Sequence, residues 1–289
     1  MVTLFADTDC DMTPAVAAEY GYKLISMPYS YGGKTYYPYV DYDKFECHEF
    51  YNLLRNGTLP TTSALNMDEY IAYFEPEFAA GNDIFYVHFS RAMTVSFDAM
   101  DKALEILKKK YPERKFWALD TKAITASAYL IDREVGDMLK AGKTPEEIIE
   151  WGKTEVDKFA IYFFADDLKF FHRSGRVSGL AATMGSLIGI RPIIHIDNEG
   201  KMVSIGKAKG RINAVNTLVN YVVEQGDDVL SHRVIIAHTD APEIARQVGD
   251  KLKEKFGDAL NIEYVETNPT AGSHCGPDGV GVSFHAKYR

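Results

Sequence analysis

Between Asp83 and Phe89 the chain reads Asp-Ile-Phe-Tyr-Val-His-Phe, too dense in apolar residues to leave a face in water. A run of that length and density predicts a strand buried on both sides, as in the centre of a parallel sheet. Similar runs at Val2 to Ala6 and Lys115 to Leu119 alternate with helical spacing. Met100, Leu104 and Leu107 mark one helix; Thr125 to Lys140, with Tyr129, Leu130, Val135 and Leu139 inward, marks another. Strand and helix in alternation predict a doubly wound parallel sheet.

The connections agree with that frame. Thr13-Pro14 opens a helix after the first strand, with proline suited to its first position. Leu24 to Tyr31 and Lys34 to Tyr39 read as two strands joined at Gly32-Gly33, and their many tyrosines read as packing. Tyr42 to Leu54 has helical spacing and stops at Asn56-Gly57. Asn66 with Glu69 is a capping pattern for the helix through Tyr70, Phe74 and Phe78. No Gly-x-Gly-x-x-Gly follows the first strand, and Gly142-Lys143-Thr144 falls between helices. There Thr144, Pro145 and Glu147 form a capping box, which argues against a nucleotide site.

From Ile161 the pattern changes. Leu168 to Ser178 reads as a glycine-broken loop with cations beside aromatics. Ile188 to Ile196 enters a strand, and Asp197-Asn198-Glu199-Gly200 returns it as Met202 to Ala208, an antiparallel pair. Arg211 leads a helix with Val215, Leu218 and Val222; Val234 to His238 is a strand; Asp240 with Glu243 caps a helix ending at Gly257. A strand from Ile262 to Val265 then feeds a turn, Pro269 to Gly279, that carries His274 between glycines. The expected architecture is two α/β domains: residues 1–160, Rossmann-like with a doubly wound parallel sheet, and 161–289, a mixed sheet with antiparallel strands.

Composition removes several function classes. Lysine and arginine number 32 against 41 acids, a net charge of -9, which gives no electrostatic footprint for nucleic acid or anionic membranes. No stretch approaches the ~20 apolar residues of a membrane span, so stable membrane insertion is not expected. Met1 to Asp7 lacks the basic region and cleavage site of a signal peptide. The odd, unclustered Cys10, Cys47 and Cys275 predict a reducing cytoplasm without disulfides or zinc. His88, His195, His232, His238 and His285 are scattered and read as structural.

The candidate chemistry sits at loop and strand ends. Asp7 and Asp9 end the first strand, inviting a magnesium-dependent phosphotransferase with Asp7 as nucleophile; the alternative is that Asp9 or Asp11 binds backbone amides at the turn. Thr62 and Ser63 lie in a loop before a helix N-terminus, where hydroxyls and amides receive anions. Ser90, Thr94 and Ser96 follow the central strand, and His274 follows the strand at Ile262 to Val265, where α/β sheets keep their ligand crevices. A Ser-His hydrolase needs an acid orienting the histidine and a nucleophile on a sharp elbow, and neither is recognisable in the chain.

Taken in order, these stretches resemble the DegV family of bacterial fatty-acid-binding proteins. The resemblance runs over essentially the whole chain. It comprises the Asp7 to Asp11 opening, Leu59-Pro60-Thr61-Thr62-Ser63, the Ser90 strand end, Leu168 to Ser178, Gly189-Ile190-Arg191-Pro192, and Ser273-His274-Cys275-Gly276-Pro277. It implies a long-chain fatty acid buried between the domains as ligand, and no cofactor. The carboxylate would be held by Thr62, by a strand-end hydroxyl among Ser90, Thr94 and Ser96, and by His274, a protonated imidazole beside the carboxylate. It further implies a partner, a dihydroxyacetone-kinase-like fatty acid kinase subunit that phosphorylates the presented lipid. Arg173 and Arg176 would dock that partner or steady the acyl phosphate, or Arg176 would be structural. The chain departs from the family pattern at Ala64-Leu65-Asn66, at Met93, and at Ser174, Arg191 and Asp278. Burying ~14 methylenes at about 0.8 kcal/mol each offers roughly 11 kcal/mol gross, so the acyl chain supplies affinity and the polar groups place the head. The competing class is an enzyme using Asp7 and Asp9, or a hydrolase using His274.

Overall fold

The computed structural model describes residues 1–178 and 189–289. From the first strand, β1 (Val2–Asp7), a short 3₁₀ turn at Thr8–Cys10 leads to α1 (Pro14–Tyr20) and β2 (Tyr22–Ile25). Then come the hairpin β3 (Tyr29–Tyr31) and β4 (Lys34–Tyr36), α2 (Cys47–Arg55), the two-residue β5 (Thr61–Thr62) and α3 (Met67–Ala79). β6 (Asp83–His88), α4 (Ser96–Lys110), β7 (Phe116–Asp120), α5 (Thr125–Lys140) and α6 (Pro145–Glu155) complete the first half. The second half runs β8 (Phe159–Phe164), α7 (Lys169–Ser174), β9 (Val177–Ser178), β10 (Ile190–Ile196), β11 (Met202–Lys209) and α8 (Arg211–Gln225). It closes with β12 (Val234–His238), α9 (Pro242–Phe256), β13 (Ile262–Glu266), α10 (Pro269–Cys275) and β14 (Val280–His285).

Strands from the first half form a parallel sheet in the order β2-β1-β6-β7, with β6 internal as its apolar density predicts. Strands from the second half form a seven-stranded mixed sheet, β13-β12-β14-β8-β10-β11-β9. In it β12 runs parallel to β13, and β14 is antiparallel to both β12 and β8. The small sheet β4-β3-β5 holds Thr62 opposite Tyr29.

One face of the parallel sheet, with Phe5, Ile84 and Tyr86, is covered by α3 and α4 through Phe74, Met100 and Leu104. Its other face, with Leu4, Phe85 and Val87, meets α5, whose Leu130 and Ile131 are fully buried. The same cluster continues into Ile161, Ile194 and Ile235 of the mixed sheet, so α5 packs between the two sheets and one core joins them. Buried Arg289 ties this joint: it donates to the carbonyls of Lys122 (2.6 Å), Val156 (2.8 Å) and Phe159 (3.0 Å). The mixed sheet's far face packs on α8 and α9 through Leu218, Val222, Val248 and Leu252.

Both capping boxes form, Asn66 with Glu69 and Thr144 with Glu147. Five local expectations are corrected. Leu24 to Tyr31 is not one strand: Pro28 lacks an N–H, and Met27 N donates to Thr8 Oγ1 at 2.9 Å, so the chain leaves the first sheet there. The helix expected from Tyr42 begins only at Cys47, because Tyr42 and Phe45 pack from a loop onto the Tyr29–Phe50 cluster. Asp240 does not cap α9: its carboxylate takes Arg55 Nη1 at 2.5 Å and His48 Nδ1 at 2.9 Å. Leu168 to Ser178 contains the helix α7, anchored by the fully buried Phe170 and Phe171. The stretch after β13 is the helix α10, and His274 lies in its last turn.

Candidate functional site

The C-terminal ends of β1, β6, β12 and β13 approach one another, and a cavity of about 530 Å³ opens among them. This is where a doubly wound sheet receives ligands. The wall is mostly apolar, with Met27, Phe89, Ile161, Phe163, Phe171 and Val280 among its members.

α10 places His274 because its start is fixed from several directions. Asn268 caps it by accepting from Ala271 N, and Pro269 occupies its first turn. Asp11 Oδ1 accepts from Asn268 N at 2.8 Å and from Asn268 Nδ2 at 2.7 Å, which anchors that cap to the first sheet's turn. Thr270 Oγ1 donates to Met27 O at 2.7 Å. Gly272 lies against Tyr51, whose hydroxyl would stand 2.3 Å from a Cβ added there. The opposite wall, β5, is held by Arg173, which donates to Leu59 O at 2.9 Å and to Pro60 O.

Across this frame Thr62 Oγ1 lies 2.9 Å from His274 Nε2, while His274 Nδ1 is buried with no partner among the described residues. Burial, and then the charges of Arg176 and Arg173, push the imidazole down to about 4, so without ligand it is neutral at physiological pH. A carboxylate brought beside the ring raises its pKa again.

Thr62, Ser63, Thr94, Arg176 and His274 all line the cavity. Ser90 and Ser96 do not. Ser90 Oγ donates to Gly200 O at 2.8 Å and accepts from Ala92 N; Ser96 Oγ accepts from Leu65 N at 3.1 Å and pairs with the Tyr70 hydroxyl at 2.9 Å. Of the three strand-end hydroxyls, Thr94 is the one at the cavity. Arg176 is exposed, donates to Ser174 O at 2.6 Å, and has no carboxylate partner among the described residues.

The Asp7 carboxylate is built into the turn. It accepts from Phe89 N at 2.9 Å and from Asp9 N and Tyr86 Oη at 3.1 Å each, and burial pushes it up to about 7. It thus performs the amide-binding role considered for the turn, and Asp11 does the same for Asn268. Among the described residues no acid partners His274 Nδ1 as a hydrolase would require. No group of three or more His, Cys, Asp or Glu placed to hold a metal occurs among the described residues. Two of the departures from the family pattern find partners within the chain. Arg191 Nε meets Asp166 Oδ1 at 2.5 Å, and Asp278, at φ 65, accepts from Arg55 Nη2 at 2.8 Å. The sequence reading missed the wall contributed by β8 and β14: it names no strand at Val280–His285, and alternation within a strand does not say which face meets the cavity.

A family model described as DegV, an uncharacterised protein family, matches residues 1–287. A DegV domain-containing protein of Clostridium perfringens is 29% identical over 283 residues, covering 97% of this chain and 96% of its own. A DegV family protein from Eubacterium eligens, solved loaded with heptadecanoic acid, superposes with a TM-score of 0.84 at 19% identity, covering 99% of this chain and 100% of its own. A stearic-acid-binding protein from Eubacterium ventriosum gives a TM-score of 0.84 at 18% identity, covering 100% of this chain and 99% of its own.

Proposed function

This chain belongs to the DegV family, and on that premise we propose that it is a carrier that holds a long-chain fatty acid in the cavity between its sheets and presents the carboxylate to a separate kinase. The observation that carries the reading is the 2.9 Å contact between Thr62 Oγ1 and His274 Nε2 in the wall of an otherwise largely apolar cavity. A hydroxyl and a neutral imidazole suit a carboxylate head, Thr94 and Ser63 add hydroxyls, and Arg176 supplies a positive charge with no carboxylate partner among the described residues. The fatty acids held by the Eubacterium relatives support the ligand class.

The partner is a kinase of the dihydroxyacetone-kinase type, with its own ATP site. It transfers the γ-phosphoryl group to a carboxylate oxygen, leaving ADP and an acyl phosphate. The carrier then needs no cofactor: its residues bind, orient and exclude water. Dependence on ATP places the pair in the cytoplasm.

The test is to purify the protein natively, denature it, extract with organic solvent and weigh what comes out by mass spectrometry. A stoichiometric fatty acid is expected. A cavity that is empty and refuses added fatty acid, together with magnesium-dependent phosphatase turnover lost in Asp7→Asn, sinks the carrier reading in favour of an enzyme.

A further inference from the structure

The turn from Asp7 to Asp11 holds polar side chains whose roles differ in kind. Asp7 accepts from Phe89 N, Asp9 N and the Tyr86 hydroxyl. Thr8 Oγ1 accepts from Met27 N at 2.9 Å, Cys10 Sγ donates to Asp7 O at 2.9 Å, and Asp11 Oδ1 accepts twice from Asn268. Each of these holds the fold together. Asp9 does not. It is only 5% exposed and lines the cavity, and its carboxyl makes no hydrogen bond among the described residues, with Oδ1 wholly buried.

A buried carboxyl with no partner is costly to keep, and a structure that keeps one in a ligand cavity implies a ligand group that satisfies it. Burial, and then the carboxyls of Asp7 and Asp11, raise the Asp9 pKa well above the ordinary carboxylate range, which favours the protonated acid. In that form it both donates and accepts. An unbroken methylene chain answers neither function. A hydroxyl answers both. α5 packs against this turn, and its Thr125, a β-branched residue held at φ 52, brings a second polar side chain to the same cavity.

We propose that Asp9 is a specificity residue for a fatty acid bearing a hydroxyl group on its chain, which it recognises by a hydrogen bond from its carboxyl within the cavity. The proposal rests on the carrier reading above and narrows its ligand from fatty acids in general to hydroxylated ones. It also gives a role to the one residue of the opening motif that the fold leaves unused.

The test uses the full chain stripped of lipid and loaded with matched probes: octadecanoic acid, and hydroxyoctadecanoic acids with the hydroxyl moved along the chain. For at least one isomer, the wild type binds roughly tenfold or more tighter than it binds the plain acid. Asp9→Asn, whose amide still donates and accepts, keeps the preference. Asp9→Leu loses it and takes the plain acid more tightly than the wild type does. If Asp9→Leu fails to fold, Asp9→Ala serves, with the same lost preference expected. A wild type that binds octadecanoic acid at least as tightly as every hydroxylated isomer overturns the proposal while leaving the carrier reading intact. A protein that binds none of the probes overturns both.

Discussion

Thr62 and His274 stand 212 positions apart in the chain, and their side chains meet at 2.9 Å across the cavity. The contact joins a two-residue strand on the small sheet to the last turn of α10, so it reports whether both walls are in place. The hydroxyl and the ring nitrogen satisfy each other. On the carrier reading an incoming carboxylate competes for both, so head-group placement should depend on this pair more than affinity does.

His274→Ala should therefore leave the lipid bound and abolish its use. The lost hydrogen bond weakens binding by about tenfold or less, against a gross chain contribution of roughly 11 kcal/mol. Misplacement of the carboxylate should lower partner-dependent phosphorylation by about 100-fold. Occupancy by mass spectrometry and phosphorylation are measured on one preparation, and phosphorylation at the wild-type rate would reduce the histidine to part of α10.

The imidazole should titrate in opposite ways with and without lipid. In the empty protein His274 is held at about 4, below the ordinary value of 6.5. Its contribution to stability is present above pH 6.5 and is lost as pH falls through about 4. A bound carboxylate favours the cation and moves the midpoint upward. Histidine NMR of both forms reads this directly, and an empty-form midpoint near 6.5 would contradict the buried, arginine-flanked setting.

Asp11→Asn should change how stability follows pH. Burial pushes Asp11 up to about 7, above the ordinary 3.8, so the folded state retains a proton that the unfolded chain gives up. That stability is complete below pH 3.8 and is lost as pH rises towards 7. An asparagine still accepts from Asn268 and does not titrate, so between pH 4 and pH 7 the variant should gain on the wild type by on the order of a few kcal/mol. Urea midpoints across that window measure the gain, and parallel profiles would exclude it.

Gly272→Ala should disturb the site through its support. The new Cβ would stand 2.3 Å from the hydroxyl of the fully buried Tyr51, which itself donates to Thr267 O at 2.9 Å. Overpacking of this kind costs about 1–3 kcal/mol. A lower melting temperature with faster lipid loss is expected, and an unchanged midpoint would mean that α10 shifts freely.

Much of this arrangement is legible in the residues. β6, the full span of α5 and both capping boxes follow from apolar density and spacing, because each is decided by neighbours in sequence. The short helices α7 and α10 escape that reading, since their formation depends on tertiary anchors: buried Phe170 and Phe171 for one, Asp11 holding Asn268 for the other. The same limit governs the hydroxyls. Nothing near Ser90 in sequence says that its Oγ belongs to Gly200, 110 positions later, leaving Thr94 at the cavity. Apolar runs and a turn signal give β10 to β13 of the mixed sheet, but the central β14 is not read as a strand, and the face that meets the cavity is set by where α5 packs.

The placement of β14 has a consequence for assembly. It follows every other strand in chain order, yet it stands inside the mixed sheet, with β13-β12 on one flank and β8-β10-β11-β9 on the other. Among the described strands it makes the only pairing between those two groups, and the long sequence separation from β8 predicts that this pairing forms slowly. Val280 and Gly281 at its start also form part of the cavity wall. The cavity wall is thus incomplete until this strand is in place.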